Sequence, residues 1–404
     1  MSWKRLIGAW LACCFVLAAC SDSKDEPTTP AESRTVLVYI AGDNSLFNFA
    51  LEDVHEMVVG LEELKSIYGH LLVYMDTGST PKLLELECTK QGVVKTTVKE
   101  YEANRNSVGL TEMKEVLADA FSSRFKADRY GLVFWSHGDG WYPYPYPSAN
   151  SRWIGQDKGN GEDHRMNLAD FVQALQSGPH LDFLLLDVCF AASIEVAYEI
   201  KDQVDYVFGS PTETPGPGAP YDALVKQMFH SQTSGFDYVL PMAQAYFNYY
   251  NTLYDESLKC TNSHWTGGVS ITLMQCSALP ALATATRQAL AAQQTDLYSL
   301  SQSVFDYDQR RSYPSSYIGY FDLVQLMQRL SSESAFPAWK QAFDAAVPYF
   351  QTTPKNFSVV VDRFDMTGSY GLSHYLPQSE SDKALGVYRT TSWYQDAGLS
   401  KLGW

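Results

Sequence analysis

The feature that most constrains this chain is a regular alternation of short apolar runs with helix-period segments, beginning at Arg34. Thr35-Val36-Leu37-Val38-Tyr39-Ile40 is β-branched and aromatic, which predicts a buried strand. Asp43-Asn44-Ser45 then offers caps to a helix whose apolar positions, Leu46, Ala50, Val54, Met57, Val58 and Leu61, keep close to a 3.6-residue period. Leu71-Leu72-Val73-Tyr74-Met75 is a second strand, and residues 83–98 alternate like an edge hairpin about Gln91-Gly92. Met113, Val116, Leu117, Ala120 and Phe121 share one helix face. A strand at 131–136, a helix with Leu168, Phe171, Val172 and Leu175 on one face, a strand through Leu184-Leu185-Leu186 and a helix bearing Ile194, Ala197 and Tyr198 follow, with another strand from Val207-Phe208. Residues 220–350 read as helix-rich apart from a strand at 269–273, and 357–361 and 371–376 return to strand character. Such alternation predicts an α/β class with a mainly parallel central sheet, helices on both faces, and chemistry at the carboxyl ends of the strands.

The sequence ahead of this region is of a different kind. Lys4 and Arg5 precede an apolar run at 6–19, too short for a comfortable membrane span, which ends Leu17-Ala18-Ala19-Cys20. This resembles a bacterial lipobox, predicting a signal peptide over 1–19 and a lipid on the Cys20 thiol. Residues 20–33 have the composition of an acidic flexible tether, and Ser21-Asp22-Ser23-Lys24-Asp25-Glu26 resembles the surface-export signal of lipoproteins of the Bacteroides group. The expectation is a lipoprotein of a Gram-negative outer membrane, facing outward and held to the membrane by its N-terminal lipid alone.

Composition removes several functions. With 30 Lys and Arg against 46 Asp and Glu, a net charge of −16 gives no positive field for nucleic acid. The seven cysteines include no C-x-x-C pair, so neither a zinc ribbon nor a thioredoxin-type motif is written. An exported compartment permits Cys260 to pair with Cys276 or Cys88, and the sequence does not choose. The chain holds no P-loop, no H-E-x-x-H and no G-x-S-x-G, and its histidines lack metal-ligand spacing, so no metal site is expected.

Two predicted strand ends carry reactive side chains, Trp135-Ser136-His137-Gly138-Asp139-Gly140-Trp141 and Leu186-Asp187-Val188-Cys189-Phe190. A cysteine placed before a helix is expected to feel its positive pole and favour thiolate, and a histidine at a neighbouring strand end can take or return a proton. The N–H groups of Gly138 and Cys189 suit an oxyanion hole.

With these blocks in view the chain resembles the clostripain-like cysteine peptidases of the caspase-hemoglobinase fold. The resemblance rests on Val36-Leu37-Val38-Tyr39-Ile40-Ala41-Gly42-Asp43-Asn44, the block from His137, the stretch from Leu186 to Glu199, Pro215-Gly216-Pro217-Gly218-Ala219-Pro220-Tyr221 and Gly371-Leu372-Ser373-His374-Tyr375-Leu376-Pro377. It implies a catalytic core over 34–220 and a helix-rich C-terminal part over 221–404 that completes the fold. It further implies an endopeptidase with His137 as general base, Cys189 as nucleophile and Asp187 as an acid for a basic P1 residue. The family usually has acids at the places held here by Thr212 and Thr214; Glu213 between them is the remaining substrate-binding candidate. Relatives cut themselves between His and Cys, so self-processing is expected in the 142–165 loop, after Arg152, Lys158 or Arg165. No cofactor is required, but calcium is needed by some relatives and stays open as a cofactor. The expected partner is a protein or peptide substrate; oligomeric state is left open. The competing reading is a catalytically silent lipoprotein that binds peptide or glycan through aromatics such as Tyr142, Tyr144 and Tyr146.

Overall fold

The computed structural model describes residues 32–141, 153–230, 233–290, 296–313, 317, 319–377, 382 and 384–404. Cys20, the tether before Glu32, and the tyrosines at 142, 144 and 146 lie outside the described residues.

Nine strands make the central sheet: β1 (Arg34–Ala41), β2 (Gly69–Asp76), β3 (Lys82–Thr89), β4 (Gly92–Glu100), β5 (Arg129–Trp135), β6 (Leu181–Asp187), β7 (Val204–Gly209), β8 (Ser270–Gln275) and β9 (Tyr349–Thr352). Their spatial order is β9-β8-β7-β6-β5-β1-β2-β3-β4. The five middle strands, β7-β6-β5-β1-β2, run parallel, while β3, β4, β8 and β9 are added antiparallel at the two edges.

The reason for the layering is visible in β1. Val36, Val38 and Ile40 point into one apolar layer and Leu37, Tyr39 and Ala41 into the other, all fully buried. A one-residue slip would exchange the two sets, and each buried aliphatic side chain contributes about 1.5–3 kcal/mol, so the register is fixed. Helices α1 (Phe47–Leu64), α5 (Tyr221–His230) and α6 (Phe236–Leu253) cover the first layer. Helices α2 (Leu110–Ala120), α3 (Leu168–Leu175), α4 (Ile194–Ile200) and α7 (Leu279–Ala289) cover the second.

Three local expectations are corrected. Ser45 does not cap α1: Asn44 Oδ1 takes the Leu46 N–H at 2.9 Å, and Ser45 turns to the cleft instead. Residues 357–361 are not one strand, because a separate hairpin pairs Lys355–Ser358 with Asp362–Asp365 and leaves Val359 71% exposed at its tip. Finally, α4 starts at Ile194 behind an N-cap at Ser193, so Cys189 does not sit on a helix N-terminus.

Candidate active site

The parallel pairing of β5 with β6 sets Trp135 opposite Asp187. His137 and Cys189 each lie two residues beyond that pair, and both line one cleft of about 380 Å³. Neighbouring strands therefore deliver a base and a thiol to the same edge of the sheet.

The histidine loop is rigidly tied. Its carbonyl accepts the Gly155 N–H at 2.9 Å, Asp139 N–H donates to the Trp153 carbonyl at 2.8 Å, and the Trp153 ring meets the imidazole edge-on. Those two bonds flank Gly138 and leave its own N–H outside the ladder. Gly138 is required by crowding: a Cβ there would stand 2.7 Å from Val188 Cβ and 3.2 Å from the Cys189 carbonyl oxygen. Ser45 Oγ lies 2.8 Å from His137 Nε2. Burial, with the charges of Lys158 and Arg165, pushes His137 down to about 4.

The cysteine loop bends through Phe190, whose φ of 56° is in the left-handed region. Phe190 N–H donates to the Thr212 carbonyl at 3.0 Å and Ala192 N–H to the Ser210 carbonyl at 2.9 Å, which holds that turn. Its ring stacks on Tyr320 with centroids 5.3 Å apart, and the Arg310 guanidinium lies over its face at 4.7 Å. Arg310 also bridges Asp139 at 2.8 Å and Asp308 at 2.6 Å, so one side chain clamps both the histidine loop and the cysteine loop. The Cys189 thiol receives the Thr214 N–H at 3.3 Å. Burial, and next the nearby Glu213 carboxylate, push the thiol up to about 11. The expectation of a helix-stabilised thiolate is thus corrected: without a helix pole and with an acid close by, the resting pair is thiol and neutral imidazole.

Asp187 is buried in the cleft floor. Its Oδ2 accepts from Ala219 N–H at 2.8 Å and Tyr221 O–H at 2.9 Å, its Oδ1 from Tyr246 O–H at 2.8 Å. Desolvation still raises its affinity for a proton. Glu213 lines the cleft, but both of its oxygens accept the Val359 N–H, at 3.2 Å each, so it secures the 355–365 hairpin; burial lifts it to about 7.

A family model described as the clostripain family matches residues 38–396. The chain belongs to the clostripain family. The structure of a secreted C11 cysteine protease from Bacteroides thetaiotaomicron with an irreversible peptide inhibitor is 41% identical, with a TM-score of 0.80, covering 91% of this chain and 99% of that one. An inactive zymogen C11 protease from Parabacteroides distasonis is 28% identical at a TM-score of 0.77, over 91% and 99% of the two chains. Clostripain of Hathewaya histolytica is 24% identical over 220 residues, which is 47% of this chain and 41% of clostripain itself. The chain thus matches about two fifths of the length of that curated relative.

In this clostripain-family chain, sequence reasoning singled out His137, Gly138, Asp187, Cys189 and Glu213, and all five line the cleft. It missed Ser45, Arg310 and the hairpin residue Val359, which also line it. Ser45 was hidden inside a helix-start signature, while Arg310 and Val359 reach the site only through contacts across the fold. Cys88, Cys189, Cys260 and Cys276 are all free thiols. Among the described residues no group of acidic, histidine and cysteine side chains is arranged to hold a metal ion, and no helix is long and apolar enough to cross a membrane.

Proposed function

We propose that the protein is a cysteine endopeptidase acting through His137 and Cys189, with preference for a basic P1 residue. The observation that carries this is the register pair Trp135–Asp187, which brings thiol and imidazole to one cleft from adjacent strands. The Cys189 thiol attacks the scissile carbonyl carbon as His137 takes its proton, and the N–H groups of Gly138 and Cys189 hold the oxyanion. Collapse forms a thioester and expels the amine, which leaves with the proton from His137. Water then attacks the thioester, His137 again taking and returning the proton, and the acid product departs with the thiol restored.

Ser45 is a positioning residue in this scheme. Accepting a hydrogen bond from Nε2–H, it leaves the Nδ1 lone pair as the base. Ser45→Ala is expected to lower kcat about fivefold with little change in KM, the loss of one hydrogen bond of about 1 kcal/mol, and Ser45→Thr to restore most of it. A KM effect without a kcat effect would contradict this role.

Asp187 at the cleft floor supplies the charge for a lysine or arginine side chain. Self-processing is the second part of the proposal. The Arg165–Met166 bond is a poor candidate because Met166 is buried and its N–H and carbonyl both join the ladder to Gly155 and Ile154. The Lys158–Gly159 bond is held in the same way, with Gly159 buried, its N–H on Asp157 Oδ1 at 2.8 Å and its carbonyl taking the Glu162 N–H at 3.1 Å, although the Lys158 side chain is exposed at the cleft. Arg152 lies outside the described residues, and the proposed cut falls after it. We place the protein on the outer membrane, held by a lipid on Cys20, by the lipobox resemblance alone.

The test is a fluorogenic peptide library varied at P1, applied to wild type and Cys189→Ala, with chain sizes read on a denaturing gel. Cys189-dependent cleavage after Lys or Arg is expected. No turnover across the library, with reductant and with or without calcium, would move the assignment to a peptide- or glycan-binding lipoprotein.

A further inference from the structure

Three consecutive valines, Val359-Val360-Val361, form the turn of the 355–365 hairpin. Tight turns favour Gly, Asn, Asp, Ser and Pro, because those residues supply the backbone angles or local hydrogen bonds that a chain reversal needs, and β-branched side chains supply neither. The left-handed angle of this tip falls on Asp362, at a φ of 66°, so the valines answer no demand of the turn. Nor do they serve a core, since Val359 is 71% and Val361 45% exposed. Sequences break such rules chiefly at functional sites.

The tip stands at the cleft. Val359 lines it together with Phe357, Trp265 and the segment from Glu213 to Gly216. The Phe357 and Trp265 rings meet edge-on with centroids 5.0 Å apart, which adds an aromatic wall to the exposed valine. The hairpin is firmly mounted: Arg363 Nη2 donates to the carbonyls of Leu258 at 2.8 Å and Asp255 at 3.2 Å, and Glu213 takes the Val359 N–H. Apolar surface already held in place costs little further ordering when a ligand covers it.

The mechanism fixes which part of a substrate reaches this wall. His137 returns its proton to the departing amine, so the chain after the scissile bond lies on the His137 side, at the end of β5. In the sheet order β7-β6-β5 the acyl chain leaves Cys189 the other way, over the loop that follows β7, where the Thr214 N–H meets the thiol and Glu213 holds the hairpin tip. We propose that Val359, Phe357 and Trp265 form a subsite for an apolar side chain upstream of P1, which makes this peptidase select an aliphatic residue such as leucine there. This rests on the reading of His137 and Cys189 as a peptidase dyad. An acidic side chain would lose hydration against these groups and face the Glu213 carboxyl, so it is disfavoured at the same position.

The test measures kcat/KM on peptides that share the P1 residue wild type cleaves best and carry Leu, Gly or Asp in turn at each of the three positions before it. Wild type, Val359→Thr and Val359→Asp are compared, with thermal midpoints alongside. Wild type is expected to favour Leu over Gly about tenfold or more at one of these positions, and Leu over Asp by a larger factor. Val359→Thr keeps the branched shape but replaces a methyl with a hydroxyl, and is expected to lower that Leu-to-Gly ratio about threefold; Val359→Asp is expected to lower it about tenfold. Because the side chain is exposed, the midpoints are expected to hold. Equal rates for Leu and Gly at all three positions overturn the subsite, and a Leu preference that neither variant alters overturns the role of Val359. Failure of wild type to cleave any peptide, or cleavage unchanged in Cys189→Ala, instead removes the peptidase reading beneath the proposal.

Discussion

Replacing His137 with alanine is expected to reduce kcat about ten-thousandfold or more, with the chain still folded. The size of the effect follows from the electrostatics of the pair. The thiol sits at about 11 and the imidazole at about 4, so at neutral pH almost no thiolate preexists and the proton must be removed during attack. Between those two values the wild-type profile is expected to be nearly flat, with a shallow step near the Glu213 value of about 7. Activity falls on the acid side as His137 becomes protonated and can no longer accept. In His137→Ala only solvent base can form thiolate, so the residual rate should climb about tenfold per pH unit toward about 11. A parallel pH dependence in both proteins would remove His137 from the proton path.

Asp187→Asn is expected to lower the kcat/KM ratio of Lys over Leu substrates about a hundredfold, the scale on which a buried charge pair loses a partner. Stability should behave differently. Burial raises the folded-state proton affinity of Asp187, so its ionisation opposes folding at pH values above its unfolded value, and a neutral amide of the same shape removes that penalty. The hydroxyls of Tyr221 and Tyr246 can rotate to accept from the new amide as well as donate. The thermal midpoint is therefore expected to hold or rise at neutral pH. A lost midpoint with an unchanged Lys-to-Leu ratio would make Asp187 a structural acid of the cysteine loop, not a substrate contact.

The sheet and the two reactive strand ends were legible because both are local signals. Val36 to Ile40 alternate between two buried layers, and a reactive side chain directly after such a run has few places to go. The C-terminal half was harder to read. β8 and β9 add antiparallel to β7 at long sequence separation, and the 355–365 hairpin stands apart because Glu213 holds the Val359 N–H. The local charge state of the thiol was misread for a similar reason: the loop from Val188 to Ser193 is long enough to separate Cys189 from α4, and its neighbour Glu213 comes from the β7 loop. Ser45 carries a cap signature, and only the fold reveals that its hydroxyl lies 2.8 Å from His137 Nε2. Arg310 gave no motif at all, since its meaning lies in Asp139 and Phe190, more than a hundred residues earlier.

The most direct test of the central claim is to catch the acyl group on the nucleophile. A Lys-P1 peptide ester is mixed with the protein, quenched in acid within the first turnover, and the mass of the chain and of its digest fragments is measured. The mechanism predicts a mass gain equal to the acyl part of the peptide, on the fragment containing Cys189 and absent from Cys189→Ala. Hydrolysis that persists in Cys189→Ala, or turnover with the acyl group carried on another residue, would contradict it.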